Sequence, residues 1–532
     1  MTQQIWDVVI VGGSIASLRA AIAASDAGAT TTVLSSAASS AYVDDAMSCG
    51  LATSSGEADP STHAADTLRV GADLCETDVV AQSTNSAVSY LAELEKWGLN
   101  VRRNRRGTPH LGQLPGQSNP RTASTGDSTL REVRSILEEQ CIKRNIPRRG
   151  DVEILNIVMD GDRATGLIAL DVQTGEIFGI QAKSILLAGS GFQSAWNGDG
   201  IAMGTAASLA LRSDIPLADL EFTSMHPLTV AETSFCIPLD VLGSGGIVNG
   251  ADGQPMATEA GPDALAHSII EAGGASLDLT GISRDDSPWF AGIARSLSSR
   301  CGIDCTIESI PLMPIVGPTI GGIPTNASGQ AINRAWDAPL QGLFAAGDAA
   351  CSGLHGAALN SGDHLLGAIS SGATAGSTAA THAHSTKHSA STAISVALSE
   401  AHHSHDAMLT EAGSEGVSPG AVQSSLANTM RTHMGIERDA AGLSSASSKI
   451  QELREINLSI SDGSPVMNTE MVSMIRTQGL LSVASAAVSA ALAREESRGT
   501  HVRTDYPKTL AKLAKHSLSS GDGTVANLKL RN

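Results

Sequence analysis

Two stretches of the chain share one hydrophobic pattern, a buried strand followed by a loop of small residues and a helix. The first stretch has the apolar strand 6–11 and an Ala-rich helix over 18–27. The second has the strand 342–346, which ends at Gly347-Asp348, and then a loop that leads into an Ala/Gly/Ser-rich helix. A strand that ends in glycine, before a helix without bulky side chains in its first turn, lets a polar cofactor approach the backbone. The pattern therefore predicts one nucleotide site that both stretches close, with other structure inserted between them.

Apolar residues spaced by three and four predict further helices, and alternating patterns predict an antiparallel excursion. The predicted helices cover 79–97, 129–140, 422–434, 440–456 and 471–494. The predicted strands cover 152–158, 164–172 and 176–187, with a hairpin turn at Thr174-Gly175, and a terminal strand covers 524–530.

The loop after strand 6–11 departs from the usual dinucleotide fingerprint. That fingerprint needs three glycines, for the turn, for close approach to the pyrophosphate and for helix–strand packing. Here only the first position is glycine, Gly12, and Ser14 and Ser17 take the other two. Taken alone, the loop is as consistent with an ordinary strand–helix turn as with nucleotide binding. The candidate contacts in it are Gly12, Gly13, Ser14 and Ala16.

Composition narrows the range of functions. The chain has 532 residues, of which 42% are hydrophobic and 17% charged, and this length suits about two to four domains with their own cores. A net charge of −19 disfavours nucleic acid as a partner, because phosphate contacts need clustered Lys and Arg, and solubility alone accounts for the acidity. Seven scattered cysteines without a CxxC pair predict no disulfide framework, metal site or iron–sulfur cluster. Without a signal peptide or a long apolar run, we expect a soluble, cytoplasmic chain with no transmembrane segment of its own.

Two polar stretches each have two interpretations. Residues 102–126 form a loop with five arginines, which suit phosphate or carboxylate, but a solvated or partner-facing surface is the simpler interpretation. Residues 376–404 hold several histidines among Ala, Ser and Thr. Such tracts can bind metal, but this one lacks Cys or acidic partners, so we favour a solvated linker.

Four motifs resemble those of a known family. They are Asn197-Gly198-Asp199-Gly200, Glu221-Phe222 followed by His226-Pro227, Gly321-Gly322-Ile323-Pro324-Thr325, and Glu496-Ser497-Arg498-Gly499 followed by His501. In these motifs and in their order, the sequence resembles the flavoprotein subunits of succinate dehydrogenase and fumarate reductase and their relative L-aspartate oxidase. The resemblance covers essentially the whole chain and is most specific in the last motif.

The resemblance implies an α/β fold, with an FAD-binding Rossmann-like domain interrupted by an α+β capping domain and followed by a C-terminal helical domain. We expect the first part of the FAD-binding domain at 1–226, the capping domain at 227–336 and the second part of the FAD-binding domain at 337–395. The helical domain is expected at 396–495, and a C-terminal tail at 496–532.

The resemblance also implies FAD as the cofactor and suggests its contacts. Asp199 is expected near the adenosine, and Asp348 at the ribityl chain of the flavin. The other expected contacts are Ser35, Ser48, Gly50 and Leu365. Complex-forming members of the family attach FAD through a histidine whose position is Val43 here. We therefore expect non-covalent FAD.

The sequence departs from the family where the dicarboxylate binds. The family holds two carboxylates with arginines and histidines, whereas here Gly317 stands in place of a histidine and Leu359 in place of an arginine. The helix segment 261–267 likewise lacks the family's arginines. His226, at the position that contacts the dicarboxylate in the family, and His267 remain as candidate catalytic residues. A histidine before a proline can also be purely structural.

Three functions therefore stay open. The first is an FAD-dependent oxidoreductase that passes electrons between a small organic acid and an iron–sulfur partner subunit of a membrane-associated complex, lying on the cytoplasmic face of that membrane. The second is a flavoenzyme with a less anionic substrate, and the third is a non-catalytic paralogue that keeps the FAD scaffold. The family favours the first function, and the missing arginines favour the other two.

Overall fold

The computed structural model describes residues 4–36, 49–54, 59–521 and 523–527. Two positions with predicted cofactor roles, Val43 and Ser48, lie outside these residues. The α-helices described are α1 (Ile15–Asp26), α2 (Pro60–Val70), α3 (Thr77–Trp97), α4 (Thr129–Lys143), α5 (Ser194–Asn197), α6 (Thr205–Arg212), α7 (Pro262–Glu271), α8 (Ala291–Ser296), α9 (Asp363–Ser385), α10 (Thr392–Thr410), α11 (Pro419–His433), α12 (Ala440–Glu455) and α13 (Thr469–Ala493). The strands described are β1 (Gln4–Val11), β2 (Thr31–Leu34), β3 (Leu51–Ala52), β4 (Leu111–Gly112), β5 (Thr122–Ala123), β6 (Arg148–Arg149), β7 (Val152–Asp160), β8 (Arg163–Asp171), β9 (Ile177–Leu187), β10 (Leu217–Ala218), β11 (Thr223–His226), β12 (Ile247–Asn249), β13 (Ala275–Asp278), β14 (Ile310–Leu312), β15 (Ile315–Thr319), β16 (Ile323–Pro324), β17 (Gln330–Ile332), β18 (Pro339–Ala345), β19 (Ala350–Cys351), β20 (Glu437–Arg438), β21 (Val502–Arg503), β22 (Ser517–Ser519) and β23 (Val525–Asn527).

Within the described residues, an eight-stranded sheet forms the centre of the molecule. Its parallel strands run in the order β6, β2, β1, β9, β18, and β9 is also the last strand of the antiparallel excursion β7–β8–β9. Val9 in β1 pairs with Thr32 in β2 on one side and with Ile185 in β9 on the other. The carboxyl ends of parallel strands meet at one edge of a sheet, and ligands bind at that edge in open α/β folds.

Side chains of β1 alternate between two hydrophobic cores. Val8 and Ile10 face the core formed with α1, α4 and α9, whereas Val9 faces the core formed with α6 and α13. Helices α1 and α9 cross closely because Gly372 has no side chain, and a Cβ there would lie 2.5 Å from the Ala16 carbonyl oxygen. The two strand–loop–helix stretches predicted from the sequence therefore lie side by side.

The inserted segment has a core of its own. Its antiparallel sheet β12–β13–β14 packs with α7 and buries Leu265, Leu277 and Ile310. The antiparallel pair β11 and β15 lies where the chain enters and leaves this segment. The structure thus confirms an α+β unit inserted between two parts of a sheet domain, while the proposed domain boundaries stay a prediction.

The C-terminal helices are arranged around α13, which packs against α6, α11 and α12. Among the described residues, α13 is the one helix long and apolar enough to cross a membrane. However, 72% of its most apolar window is buried inside the protein. The core helix of a globular protein meets the same criteria, so α13 is weak evidence for a membrane span.

The interpretation of the His-rich stretch as a solvated linker is wrong. Most of it is helical, because α9 continues to Ser385 and α10 begins at Thr392. Helix α10 buries Ile394 and Leu398 against the excursion β7–β8–β9. Its apolar stripe is narrow and lies among Ala, Ser and His, so the sequence gives only a weak helical period.

The interpretation of the arginine-rich loop as a surface is only partly right. Arg105 has a side chain that is 98% exposed, whereas Arg102 and Arg121 are buried. A long arginine side chain can turn inward where it pairs with a buried carboxylate. The local sequence does not indicate which arginines do so.

Candidate active site

The N-terminus of α1 lies at the carboxyl edge of the sheet. Gly12, between β1 and α1, has a φ of +131°, and a Cβ there would lie 2.2 Å from the Ala188 carbonyl oxygen after β9. Only glycine fits this turn. Ala16, in the first turn of α1, is buried next to Gly347 of the second stretch. The loops of the two stretches therefore meet at one point, as expected for a shared nucleotide site.

Serine hydroxyls partly close the loop around this helix N-terminus. The Ser14 hydroxyl accepts a hydrogen bond from the Ser17 N–H (3.2 Å) and donates one to the Ala188 carbonyl oxygen (2.8 Å). The Ser17 hydroxyl in turn donates to the Ser14 carbonyl oxygen (2.7 Å). Gly13 accepts a hydrogen bond from Arg134 through its carbonyl oxygen (2.6 Å). The protein itself thus caps one N–H that a bound anion would otherwise use.

The second stretch ends in an acid–histidine pair. Asp348 follows Gly347, and its Oδ1 lies 2.7 Å from Nε2 of His364 in the first turn of α9. The ring of His355, in the loop between them, lies 6.5 Å from the ring of His364, centroid to centroid. Burial lowers the pKa of His355 to about 4, so its imidazole is neutral at pH 7. These side chains line a cleft together with Thr319, Ile320, Leu354, Leu359 and Ser371.

On the capping side, Asp240 reaches the backbone next to β3. Its Oδ1 accepts a hydrogen bond from the Gly50 N–H (3.2 Å), and its Oδ2 has no partner among the described residues. Burial raises the pKa of Asp240 to about 7, although the hydrogen bond from Gly50 and the charge of Arg102 oppose the rise. Neither the sequence pattern nor the resemblance pointed to this acid.

A second buried acid, Asp263, joins three segments. Its Oδ1 accepts hydrogen bonds from the Ser224 hydroxyl and the Met225 N–H (both 2.7 Å), and its Oδ2 accepts one from the Leu359 N–H (3.0 Å). Burial raises the pKa of Asp263 to about 6. Leu359, in the place of an expected arginine, is itself only 1% exposed. At this point the junction between sheet domain and cap presents acids and apolar groups where cations were expected.

The structure places the two candidate catalytic histidines in different environments. His226, at the end of β11, is fully buried, and neither ring nitrogen has a partner among the described residues. Burial lowers the pKa of His226 to about 4, which keeps it neutral. His267 has a side chain that is 25% exposed, and its Nε2 lies 3.3 Å from a carboxylate oxygen of Glu437 and 3.8 Å from one of Glu271. His226 thus lies in the interior and His267 in a surface cluster with two glutamates, and the catalytic role of each stays a prediction.

The remaining predicted cofactor contacts lie along the sheet edge and in its loops. Ser35 is buried after β2, and Leu365 is buried in the first turn of α9. Asp199 is exposed, and it accepts hydrogen bonds from the Ile201 N–H (3.0 Å) and the Ser194 hydroxyl within its own loop. The roles of these residues stay predictions.

Several buried polar atoms at the junction have no hydrogen-bond partner among the described residues. They are the hydroxyls of Thr53, Ser54 and Ser361, both side-chain amide atoms of Asn360, and Nδ1 of His355. They belong to neighbouring segments, because the Ala52 N–H donates to the Gly362 carbonyl oxygen (3.2 Å). Buried polar groups normally find partners in protein or water, so such a set indicates a place where a polar molecule binds. The residues present therefore fit a large polar cofactor such as FAD.

Two arginines expected at the surface belong to this buried region. Arg102 donates to the Ser244 hydroxyl (2.7 Å) and pairs with Asp286, while Arg121 pairs with Asp66. Each guanidinium group is thus balanced by a carboxylate of the protein itself. Nε of Arg102 and Nη1 of Arg121 have no hydrogen-bond partner among the described residues.

The fold and this junction are those of an FAD-binding flavoprotein. The family of FAD binding domains matches residues 7–365, and the family described as the fumarate reductase flavoprotein C-terminal part matches residues 423–531. The chain belongs to the flavoprotein subunit family of succinate dehydrogenase and fumarate reductase, and is an FAD-dependent oxidoreductase of that type.

Relatives along the whole chain agree with this assignment. The fumarate reductase flavoprotein subunit of Haemophilus influenzae is 28% identical, over 94% of this chain and 89% of that protein. The succinate dehydrogenase flavoprotein subunit of Rickettsia conorii is 26% identical, over 97% and 93%. Among solved structures, a substitution variant of the E. coli quinol fumarate reductase chain FrdA superposes with a TM-score of 0.92 at 25% identity, covering 100% of this chain and 98% of that one. The predicted fold class is confirmed.

Proposed function

We propose that the chain holds FAD without a covalent bond and passes electrons between a small organic substrate and an iron–sulfur partner subunit. Val43 stands where covalent members of the family have their attaching histidine, which supports non-covalent binding. The curated relatives are named as subunits. The seven cysteines show no cluster spacing in the sequence, so electrons that leave the flavin need an acceptor in another chain. Through that partner, we place the chain on the cytoplasmic face of a membrane.

The observation that carries this proposal is the set of buried, unpartnered polar atoms at the junction of sheet and cap. Bound FAD would supply two-electron redox chemistry to the cleft. The Gly12 turn and the N-terminus of α1 would hold its pyrophosphate, and Asp348 its ribityl hydroxyls. Asn360 and Ser361 would donate or accept the hydrogen bonds that the protein leaves unmade.

We infer a substrate with less negative charge than a dicarboxylate. His226 is neutral, Leu359 is apolar, and the carboxyl groups of Asp240 and Asp263 lie at the same junction. A dianion that entered here would lose its hydration without gaining a cation, and this costs several kcal/mol per ion, by rough estimate. A hydroxyl, carbonyl or amide group would instead find neutral partners in the His226 ring nitrogens.

Reconstitution tests the cofactor part of this proposal. The purified chain is incubated with FAD, desalted and examined by visible absorption, and then precipitated with acid. We expect flavin bands in the desalted protein and all flavin in the acid supernatant. Flavin retained in the pellet would contradict non-covalent binding, and a protein without flavin bands would contradict the proposed function.

A pair of glycine variants locates the cofactor. Gly12→Ala should prevent FAD uptake, because the added Cβ meets the Ala188 carbonyl oxygen. Gly253→Ala is the matched control, since Gly253 also has a positive φ (+75°) but an added Cβ there meets no atom within 4 Å. Equal FAD uptake by both variants would place the cofactor elsewhere.

A further inference from the structure

The cleft beside Asp348 has few groups that can carry positive charge. Its described lining residues include no Lys or Arg, and their titratable side chains are Asp348, His355 and His364. If FAD binds here as proposed, its reduction adds negative charge to the cleft. A poorly solvated site tolerates added charge only when a proton or a cation balances it.

His355 is a poor acceptor for that proton. Burial, with a smaller contribution from His364, lowers its pKa to about 4. Asp363 and Asp348 act in the opposite direction but do not reverse the shift. The carboxylate of Asp363 is already used, because its Oδ1 lies 2.6 Å from Nε2 of His63 and its Oδ2 accepts from the Thr67 hydroxyl (2.6 Å). His355 therefore stays neutral when charge arrives.

His364 is better placed. Its Nε2 lies 2.7 Å from the Asp348 carboxylate, which fixes the ring and stabilises its protonated form. The ring also lies in the first turn of α9, where the positive end of the helix dipole disfavours a cation. The groups near His364 include Asp348 from the loop after β18, His355 from the following loop, and the dipole of α9 itself. The Asp348 carboxylate thus gives the His364 ring a partner for a proton that would balance negative charge added to the cleft.

We propose that His364 is the proton acceptor coupled to reduction of the flavin, with Asp348 as its positioning residue. This inference rests on the proposed function, because it requires bound FAD. Reduction of bound FAD would take up two electrons and one proton, and a second proton would convert the His364 imidazole to imidazolium. Both protons would leave when the two electrons pass to the acceptor.

The test counts protons taken up per two electrons. The midpoint potential of the FAD-loaded full chain is measured between about pH 6 and pH 8, because its slope against pH gives that number. We expect two protons for the natural chain and one proton fewer for His364→Ser. His403→Gln, an exposed histidine on α10, is the matched control and should keep two.

A second variant protects the test against a folding defect in the first. Asp348→Asn keeps a hydrogen-bond partner for His364 but removes the charge, so the second proton should be taken up only at lower pH. A count of one in the natural chain, or of two in His364→Ser, would overturn the inference. A slope profile unchanged by Asp348→Asn would overturn the role of Asp348. A chain that takes up no FAD would overturn the proposed function together with this inference, whereas bound FAD with unaltered proton counts would overturn the inference alone.

Discussion

The C-terminal loop, residues 494–501, and the junction between the sheet domain and the inserted segment both bury many polar groups. The two regions differ in whether the protein itself supplies hydrogen-bond and ion-pair partners for these groups. In the loop, Arg494 pairs with Glu221 (2.6 Å) and Glu496 (3.1 Å), and Arg498 pairs with Glu496 (2.8 Å). None of these four residues is more than 3% exposed. Their charges are neutralised within the protein, so the loop is complete without any ligand.

At the junction the buried groups lack such partners. Among the described residues, His226 has two unpartnered ring nitrogens, Asn360 has two unpartnered amide atoms, and Asp240 has one unpartnered oxygen. The difference separates scaffold from site. Buried charges that are paired within the protein hold the fold, whereas polar atoms left unbonded in the interior mark where another molecule belongs.

Breaking the C-terminal network should have the largest effect. Arg494→Met removes the ion-pair partner of the buried Glu221 carboxylate, so we expect a loss of about 3–5 kcal/mol in the free energy of unfolding. Denaturant titration measures it. The control is Arg103→Met, which breaks a more exposed pair with Glu95 and should cost at most about 1 kcal/mol. Equal losses in the two variants would contradict the contrast between the regions.

The pH dependence of stability tests a neighbouring part of the scaffold. His516 lies 2.5 Å from Asp219 and 3.0 Å from Glu76, and these carboxylates raise its pKa to about 9 despite burial. A raised histidine pKa gives stability that is fully present below about pH 6.5, the ordinary value. It is lost as the pH rises through about 9. The loss in the free energy of unfolding should be roughly 3 kcal/mol. It should be absent from His516→Gln. A natural chain that is equally stable at both ends of this pH range would contradict the ion-pair assignment.

At the junction, removal of the Asp240 charge should increase the free energy of unfolding, whereas removal of a charge from the C-terminal network decreases it. Burial raises the pKa of Asp240 to about 7, so the unfolded chain ionises first and stability falls as the pH rises from about 4 toward 7. Asp240→Asn should therefore be more stable than the natural chain at pH 8 by roughly 4 kcal/mol, with little difference at pH 4. Unfolding curves at the two pH values measure this. A destabilised variant at pH 8 would mean that Asp240 belongs to the scaffold.

The smallest expected effect concerns the loop at the N-terminus of α1. Ser14→Gly frees the Ser17 N–H for a bound anion, so FAD should bind roughly fivefold more tightly, or by about 1 kcal/mol. Quenching of flavin fluorescence measures this affinity. Ser418→Gly removes a comparable N-cap bond at α11, to the Ala421 N–H, and should leave FAD affinity unchanged. Weaker FAD binding by Ser14→Gly would show that Ser14 supports the cofactor instead of competing with it.

The sequence predicts the regular elements well where burial is periodic. The helix predicted over 79–97 is Thr77–Trp97, and the excursion predicted over 152–187 is formed by β7, β8 and β9. Helix α10 was missed because small residues and histidines give it little hydrophobic contrast. Resemblance supplied the rest of the architecture, which periodicity alone does not determine.

The candidate site was less accessible from the sequence. Asp240 accepts a hydrogen bond from Gly50, which is 190 positions away in the chain. No local sequence pattern therefore indicates that Asp240 is buried. Arg102 and Arg121 likewise turn inward to carboxylates far away in the sequence. The missing cations were visible in the sequence because they are substitutions within recognisable motifs. Asp240, Asp263 and the unpartnered amide of Asn360 lie near those substituted positions. They can be recognised only in the folded structure, because distant segments of the chain bring them together.

The central claim is that the junction holds a flavin beside a pocket that lacks a dicarboxylate clamp. The most direct test is the visible spectrum of the FAD-loaded chain under anaerobic conditions, before and after addition of succinate, and again after chemical reduction and addition of fumarate. We predict that succinate leaves the flavin oxidised and that fumarate leaves it reduced. Bleaching by succinate or reoxidation by fumarate would contradict the claim, because it would show that the pocket binds and converts a dicarboxylate without the expected arginines.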